Sequence, residues 1–313
     1  MHLTILSRSP SIYTTRRLVE AARERGLRAR VLDPLQVEMG LGGPGPALYY
    51  RRKAFPRTDA VIPRIGLSIN QYGLAVVNQL SLLGVPVLNS ALAIAASRNK
   101  MRVLQLLSAN GVKVPLTVMA SNPSRLRDMV KLVGGLPVLV KLLSSNEKTG
   151  VMICETLESL EAALEAILGL GQNIIVQQYL HGAKERDLRV LVVGGKVVAA
   201  LRLRPRMGRF ARTLTRGAEF EAADLPPSYT RAALDAARVV GLEVCAVDML
   251  DVPRGGPRVF EVNSSPGIRE AEEACQRDVA GAIVERAVAL ATAPRRSRVR
   301  AALNPGAAGT SLV

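Results

Sequence analysis

The sequence predicts an α/β protein whose N-terminal part contains a parallel sheet, and three observations lead to this fold class. Apolar segments of strand length alternate with helical segments over the first ninety residues, a pattern typical of parallel sheets with crossover helices. Hydrophobic residues make up 48% of the 313-residue chain, enough for a large core and one to three domains. Apolar runs are too short to cross a membrane, and the first residues do not resemble a signal peptide.

The N-terminal elements follow one another at the spacing of a doubly wound sheet. Arg64 and Gly66 are expected just past the C-terminal end of the third strand, the edge at which such sheets bind ligands. Gly40, Gly42 and Gly45 match a dinucleotide motif, but they do not join a strand to a helix, so we interpret them as a loop. The pattern predicts strands at 2–7, 29–34, 58–66 and 85–89, with helices at 13–25 and 70–83.

The middle and C-terminal parts mix hairpins with helices. Gly194 and Gly195 give a strong hairpin signal between two strands within 187–204. A basic loop covers 205–218, and the tail from 293 is low in core-forming residues and is predicted to be disordered. The remaining expected elements are one or two helices over 91–110, helices at 157–168, 228–240 and 270–292, and strands at 136–143, 151–155, 173–180, 245–250 and 258–267.

Composition narrows the classes of function. The formal net charge of +16 favours a polyanionic partner such as nucleotide phosphates, nucleic acid or an acidic peptide, although an arginine-rich proteome could equally account for it. Aromatic residues are only 3% of the chain, so base stacking and direct nucleic-acid binding are not expected. Two distant histidines argue against a histidine zinc site or a catalytic triad. Three scattered cysteines are expected as reduced thiols in the cytoplasm.

A candidate metal site lies on the two apolar segments CAVDML and RVFEVNSSPG. Glu261 and Asn263 are two residues apart on a strand, so their side chains share one face. A neighbouring strand could place Asp248 beside them. Two carboxylates and an amide oxygen suit Mg²⁺, and carboxylates in an apolar strand are costly without a cation or donors. The alternative is a pair of edge-strand acids that face water.

Basic residues elsewhere suggest a phosphate site. Lys141 ends an apolar strand, where its charge is costly unless it meets an anion or reaches the surface. Lys100 lies at the start of a helix and is weaker evidence for a phosphate site than Lys141. Asp187 and Arg189 share a strand face and could hold a ribose and a phosphate, or form a structural ion pair. Five arginines crowd one segment, which suits an anion or a solvated loop; they are Arg204, Arg206, Arg209, Arg212 and Arg216. Together these parts describe a phosphoryl-transfer site.

The order of motifs over about residues 1–290 resembles the RimK-like ATP-grasp ligases, the ribosomal protein glutamate ligase family. The resemblance implies an ATP-grasp fold behind a pre-ATP-grasp α/β domain, with units 1–90, 91–174 and 175–292 and a basic tail, 293–313. The motifs that carry it are LTILSRSPSIYTTRRLVEAA, VLDPL, DAVIPRIG, the helix Arg98–Leu107, VLVKL, VQQYL, DLRVLVVGGKVVAA, TRGA and EVNSSPGI.

The resemblance also implies roles. ATP phosphorylates a carboxylate and the amine of L-glutamate attacks the acyl phosphate. The acceptor is an acidic protein or peptide C-terminus, that of small-subunit ribosomal protein six in the family, and the protein is a homo-oligomer, a tetramer by resemblance. Arg204 and Arg216, with Arg64, are candidates for binding substrate carboxylates or phosphate. The implied ligands of ATP are Lys100, Lys141, Gln178, Tyr179, Asp187 and Arg212, and those of two Mg²⁺, or Mn²⁺, are Asp248, Glu261 and Asn263.

Three departures from the family pattern bear on activity. The loop after Lys141 reads SSNEKTG, with only Gly150 left of a usually glycine-rich segment. Gln178 stands where the family usually has Glu, and Ala211 and Thr213 replace a usual Arg and Asn. These changes leave open a different acceptor, either another peptide or an amino acid, and a catalytically impaired homologue that acts as a binding protein.

Overall fold

The computed structural model describes residues 1–42, 47–120, 125–142, 151–169, 174–180, 187–204, 219–252 and 255–293. In these ranges the chain forms one parallel sheet, one small antiparallel sheet and two larger antiparallel sheets, which confirms the mixed α/β class. No helix within the described residues is long and apolar enough to cross a membrane. The boundaries proposed between the three units remain predictions.

The N-terminal unit is built on a three-stranded parallel sheet in the order β2-β1-β6. The strands β1 and β6 are buried and mostly apolar, whereas β2 at the edge carries the arginines Arg28 and Arg30. Arg64 follows the last residue of β6, as expected. The elements are β1 (His2–Leu6), α1 (Tyr13–Glu24), β2 (Arg28–Leu32), β3 (Val37–Gly40), β4 (Ala47–Tyr50), β5 (Lys53–Ala54), β6 (Ala60–Pro63) and α2 (Asn70–Leu82).

Two expectations for this unit were incomplete. The fourth strand, predicted at 85–89, is reduced to a single parallel bridge between Val87 and Val61. Pro86 has no N–H to extend a ladder, so the pairing stops after one residue. The small antiparallel sheet β3-β4-β5 was not predicted, since its strands are only two to four residues long.

The middle unit contains a four-stranded antiparallel sheet in the order β7-β10-β8-β9. Strands β8 and β9 pair as the expected hairpin, while the connecting SSNEKTG segment lies outside the described residues. Strand β7 and helix α5 were not predicted. The elements are α3 (Ala91–Arg98), α4 (Lys100–Ala109), β7 (Thr117–Ala120), α5 (Leu126–Leu132), β8 (Val138–Leu142), β9 (Val151–Cys154), α6 (Leu157–Gly169) and β10 (Ile174–Gln178).

The C-terminal unit contains a five-stranded antiparallel sheet in the order β13-β12-β11-β14-β15. Gly194 and Gly195 form the tight turn between β11 and β12 with φ angles of 57° and 74°, a left-handed conformation that glycine adopts at little cost. Strand β13 was not predicted. The elements are β11 (Asp187–Val193), β12 (Lys196–Arg204), β13 (Glu219–Ala222), α7 (Pro227–Val240), β14 (Val244–Val252), β15 (Gly256–Asn263), α8 (Arg269–Cys275) and α9 (Val279–Thr292).

The prediction of one helix over 270–292 was wrong, because the chain forms α8 and α9 there. Gln276 adopts a left-handed conformation with φ 51° and ends α8. Asp278 then accepts a hydrogen bond from the Gly281 N–H and begins α9. The side-chain cap stabilises a new helix start, so a break replaces the continuous helix that periodicity suggested.

Candidate active site

One face of the five-stranded sheet changes from apolar to polar along its length. Near the ends of β11 and β14 that face carries Leu191, Val193, Val244 and Ala246, which pack in a core with α1 and α9. The opposite face carries an apolar cluster that packs against α7, with the Arg202–Asp251 ion pair at one end. Further along the first face, the same period of two places Arg189 opposite Asp248. The site therefore begins where the N-terminal unit no longer covers the sheet.

Asp248 and Glu261 are directly opposite each other on β14 and β15. Asn263 is two residues further along β15, opposite Ala246. Directly paired residues of antiparallel strands point to the same face, so the structure brings the three predicted metal ligands to one face. A bulge at Phe260 follows the Asp248–Glu261 pair and shifts the register. The prediction that a neighbouring strand places Asp248 beside Glu261 is thus confirmed, whereas the metal role stays a prediction.

Asp248 is engaged by Arg189 of the adjacent strand. Arg189 Nε donates to Asp248 Oδ1 at 2.8 Å and Nη2 donates to Oδ2 at 2.7 Å. Asp248 is only 6% exposed, and a bidentate pair of this kind fixes the orientation of both groups. The sequence had suggested that Arg189 acts with Asp187, and its pairing with Asp248 was not foreseen. Strand periodicity cannot predict the Arg189–Asp248 pair, because the pair depends on which residues of β11 and β14 lie opposite each other.

Asp187 is a second carboxyl group on the same face, two residues before Arg189. It lies opposite Leu250 on one side and Leu203 on the other. Burial raises the pKa of Asp187 to about 7, and the negative charge of Asp248 adds to this rise. A carboxyl group with such a pKa changes charge near neutral pH, and perturbed groups of this kind often mark functional sites.

Lys141 reaches the same region from β8 of the middle unit. Its Nζ donates to Gln177 Oε1 at 2.7 Å and lies 5.3 Å from the centre of the Phe260 ring. Burial lowers the pKa of Lys141 to about 8, while the negative charge of Glu261 opposes that change. The two antiparallel sheets therefore meet at a buried ammonium group and the carboxylates of β14 and β15.

Gln177 is a residue at this site that sequence reasoning missed. Its side chain is 1% exposed and joins Lys141 to Thr117, donating from Nε2 to Thr117 Oγ1 at 2.8 Å. A glutamine within the apolar segment NIIVQQYL was the available signal, because a buried amide requires partners.

The other predicted nucleotide residues lie around Lys141. Lys100 is the first residue of α4, and its Nζ donates to the Leu142 carbonyl at 3.4 Å. Gln178 ends β10, where its N–H donates to the Leu116 carbonyl at 2.8 Å, and Tyr179 follows the strand. Arg212 and Arg216 lie outside the described residues, and of Arg204 only the backbone, at the end of β12, is described.

The donor set fits a hard divalent cation. Glu261 and Asn263 offer carboxylate and amide oxygens, and Asn263 Oδ1 also accepts from the Ser265 N–H at 2.8 Å. Within the described ranges no group of three His, Cys, Asp or Glu residues forms a complete metal cage. Mg²⁺ is usually bound through one or two carboxylates together with phosphate oxygens and water, so this arrangement suits Mg²⁺ held jointly with a nucleotide.

The parallel unit, the two antiparallel sheets and the site between them define an ATP-grasp protein, a class of ATP-dependent ligases. The chain belongs to the RimK-like ATP-grasp family, because the model for the RimK-like ATP-grasp domain matches residues 97–287 and that for the RimK PreATP-grasp domain matches residues 1–94. The resemblance stated from the motifs is thereby confirmed, and the protein is an ATP-dependent ligase.

Curated relatives extend along nearly the whole chain. A protein of Aeromonas salmonicida strain A449 named probable alpha-L-glutamate ligase is 44% identical over 285 residues, covering 91% of this chain and 95% of the relative. A protein with the same name from Teredinibacter turnerae strain ATCC 39867 / T7901 is 45% identical, covering 91% and 94%.

Solved structures share the fold at lower identity. The ATP-grasp ligase PsnB complexed with minimal precursor superposes with a TM-score of 0.74 at 23% identity, covering 92% of this chain and 98% of that one. PsnB has also been solved with minimal precursor, Mg and ADP, with a TM-score of 0.73 at 22% identity, covering 93% and 98%. A RimK domain protein from Sphaerobacter thermophilus gives a TM-score of 0.71 at 21% identity, covering 92% and 100%.

Proposed function

We propose that this protein is an ATP- and Mg²⁺-dependent carboxylate–amine ligase that adds L-glutamate to the C-terminus of an acidic protein, with small-subunit ribosomal protein six as acceptor. The observation that carries the proposal is the approach of buried Lys141 to Glu261, which is paired with Asp248 across β14 and β15. Relatives named probable alpha-L-glutamate ligase, at 44–45% identity over 91% of the chain, support the choice of amine.

The reaction has two steps on the substrates. A carboxylate oxygen of the acceptor attacks the γ-phosphorus of ATP, the bond to ADP breaks, and an acyl phosphate forms. The glutamate nitrogen then attacks the acyl carbon, phosphate leaves, and the nitrogen loses a proton. Bound Mg²⁺ would neutralise negative charge on the phosphates. The products are a peptide bond, ADP and phosphate.

The residues of this chain act by binding and orientation. Lys141 and Lys100 hold phosphate oxygens, and the low pKa of Lys141, near 8, shows how costly its buried charge is without an anion. Glu261 and Asn263 hold the metal. Asp248, oriented by the bidentate contact with Arg189, is the third proposed metal ligand. Asp187 hydrogen-bonds the ribose.

Arg204, Arg212 and Arg216 complete the proposal as contacts of phosphate or of substrate carboxylates. Gln178 and Tyr179 line the adenine pocket beside the Leu116 backbone. A cytoplasmic location, supported by three free cysteines, and a homo-oligomeric assembly are proposed with this function.

Intact-mass spectrometry tests the proposal directly. The full-length protein is incubated with MgATP, L-glutamate and ribosomal protein six, and the mass of the acceptor is followed. Steps of one glutamyl residue, absent without ATP, are expected. ADP formation with glutamate alone and no change in the acceptor would instead indicate another acceptor or glutamate chains built without it. If the acceptor gained no mass and no ADP formed, this result would contradict the proposed enzyme and favour an impaired homologue.

A further inference from the structure

The loop that leaves β15 is held to the N-terminal unit by its backbone. Asn89 Nδ2 donates to the Ser264 carbonyl at 3.2 Å. Arg64 Nη2 donates to the next two carbonyls, Ser265 at 3.3 Å and Pro266 at 2.7 Å. Three successive carbonyls directly after Asn263 therefore face two side chains from another part of the fold.

Asn89 also holds the start of β14. Its Oδ1 accepts from the N–H groups of Glu243 and Val244, each at 2.8 Å, and its Nδ2 donates to the Val244 carbonyl at 2.7 Å. Asn89 is 2% exposed, so these bonds form away from water, where losing a partner is costly. A single amide thus fixes one end of each strand that carries a candidate metal ligand.

The contact continues into the site through one peptide unit. Asn89 holds the carbonyl of the Ser264–Ser265 peptide, and the N–H of that same peptide donates to Asn263 Oδ1 at 2.8 Å. Because a peptide unit is planar and rigid, fixing its carbonyl also fixes the direction of its N–H. The orientation of the Asn263 amide is therefore coupled to Asn89.

Arg64 adds a second contact to the same loop. Burying its charge is unfavourable, and packing alone would not require a charged side chain at this position. It forms no ion pair within the described ranges, and burial lowers its pKa to about 10. A half-buried cation such as Arg64 is tolerated when its donors find acceptors in fixed directions. Here those acceptors are the carbonyls of Ser265 and Pro266.

We propose that Arg64 and Asn89 are positioning residues, through which the N-terminal unit sets the orientation of Asn263 in the metal site. The inference rests on the proposed function, since it assigns Asn263 to the metal. Arg64 was expected to bind substrate anions directly. The structure instead directs its Nη2 to the loop.

Mn²⁺ binding to the full-length protein with a non-hydrolysable ATP analogue, followed by electron spin resonance, tests this without relying on turnover. Asn89→Ala and Arg64→Met are expected to weaken Mn²⁺ binding by about 10-fold, the effect typical of losing a residue that orients a ligand. Arg64→Lys retains a donor and is expected to restore part of the affinity. The Mg²⁺ concentration for half-maximal ATP turnover should shift in parallel.

A matched control separates positioning from loss of stability. Leu3→Ala removes a fully buried side chain from the core between the N-terminal unit and the five-stranded sheet, without touching the loop's hydrogen bonds. It should lower the melting temperature and leave Mn²⁺ affinity unchanged.

Three results would overturn the proposal. If Leu3→Ala weakened Mn²⁺ binding as much as Asn89→Ala, Asn89 and Arg64 would only join the units. If the Asn89 and Arg64 variants bound Mn²⁺ like the parent, the positioning role would also be rejected. The proposed ligase function would not be affected by that result. A parent that bound no Mn²⁺ with the analogue would reject both proposals. If Asn89→Ala did not fold, the pair Arg64→Met and Arg64→Lys would decide by the same criteria.

Discussion

Arg189 and Asp248 lie directly opposite each other on β11 and β14 and form a bidentate ion pair with both N–O distances below 2.9 Å. The pair lies beside Glu261, which faces Asp248 from β15. The Asp248 carboxylate is thus oriented by an arginine on the neighbouring strand β11 and adjoins a second carboxylate on the other neighbour, β15. Two carboxylates this close repel each other unless cations offset them, so the pair and a metal would act together.

Replacing Arg189 by methionine should destabilise the protein by on the order of 2–4 kcal/mol, because Asp248 would be left buried without its donors. Urea unfolding measures this change. Arg286→Met is the control, since Arg286 forms a similar bidentate pair with Glu243 whose side chains are 33% and 38% exposed. An exposed pair contributes below about 1 kcal/mol. If both variants lost the same free energy of unfolding, burial would not explain the contribution of the Arg189–Asp248 pair.

Glu261→Ala should reduce ATP turnover by roughly 100-fold or more, because it removes a carboxylate from the proposed metal site and with it charge stabilisation in the transition state. ADP release at saturating Mg²⁺ is the measurement. Glu161→Ala, an exposed position on α6, removes the same charge elsewhere and should be neutral. Full activity in Glu261→Ala would reject the metal assignment.

Asp187 should make the protein without ligands less stable as pH rises. Burial raises its pKa in the folded protein to about 7 from the ordinary value of 3.8, so between these values the folded state holds a proton that the unfolded state has lost. Stability contributed by the neutral carboxyl group is therefore lost between about pH 4 and pH 7.

Asp187→Asn removes this dependence. Its melting temperature should exceed that of the parent by a few degrees at pH 7 and approach it near pH 4. Asp235→Asn on α7 is the control, because Asp235 lies at the surface with 39% of its side chain exposed. A constant difference between Asp187→Asn and the parent across this range would show that Asp187 has an ordinary pKa.

The turn between β4 and β5 offers a stabilising change. Tyr50 pairs with Lys53, and the two residues between them, Arg51 and Arg52, have φ angles of 51° and 63°. Asn-Gly is the preferred sequence for such a turn. The double variant Arg51→Asn, Arg52→Gly should gain about 1 kcal/mol and raise the melting temperature by about 2 °C.

A double alanine variant at Arg51 and Arg52 separates backbone strain from charge. It removes the same two charges but keeps side chains in the left-handed conformation, so it should not gain this stability. If both double variants raised the melting temperature equally, reduced charge repulsion would be the cause.

Local pattern was enough to predict most strands and helices, but it failed where a few residues decided the outcome. The predicted strand at 85–89 is one bridge, and the last helix is broken by Gln276 and the Asp278 cap. Both errors arose because apolar periodicity averages over a segment, whereas one proline or one cap acts at a single position. The short strands of the β3-β4-β5 sheet gave too little periodicity to detect.

The sequence by itself determined that Glu261 and Asn263 share a face, because the two-residue period of a strand is a local property. It also determined the family, through the order of its motifs. Only the tertiary structure decided that Arg189 binds Asp248 and that Asn89 and Arg64 hold the loop after Asn263. These contacts join residues 59 to 202 positions apart, and their partners are set by strand register and by the packing of one unit on another. Local sequence does not encode either of these.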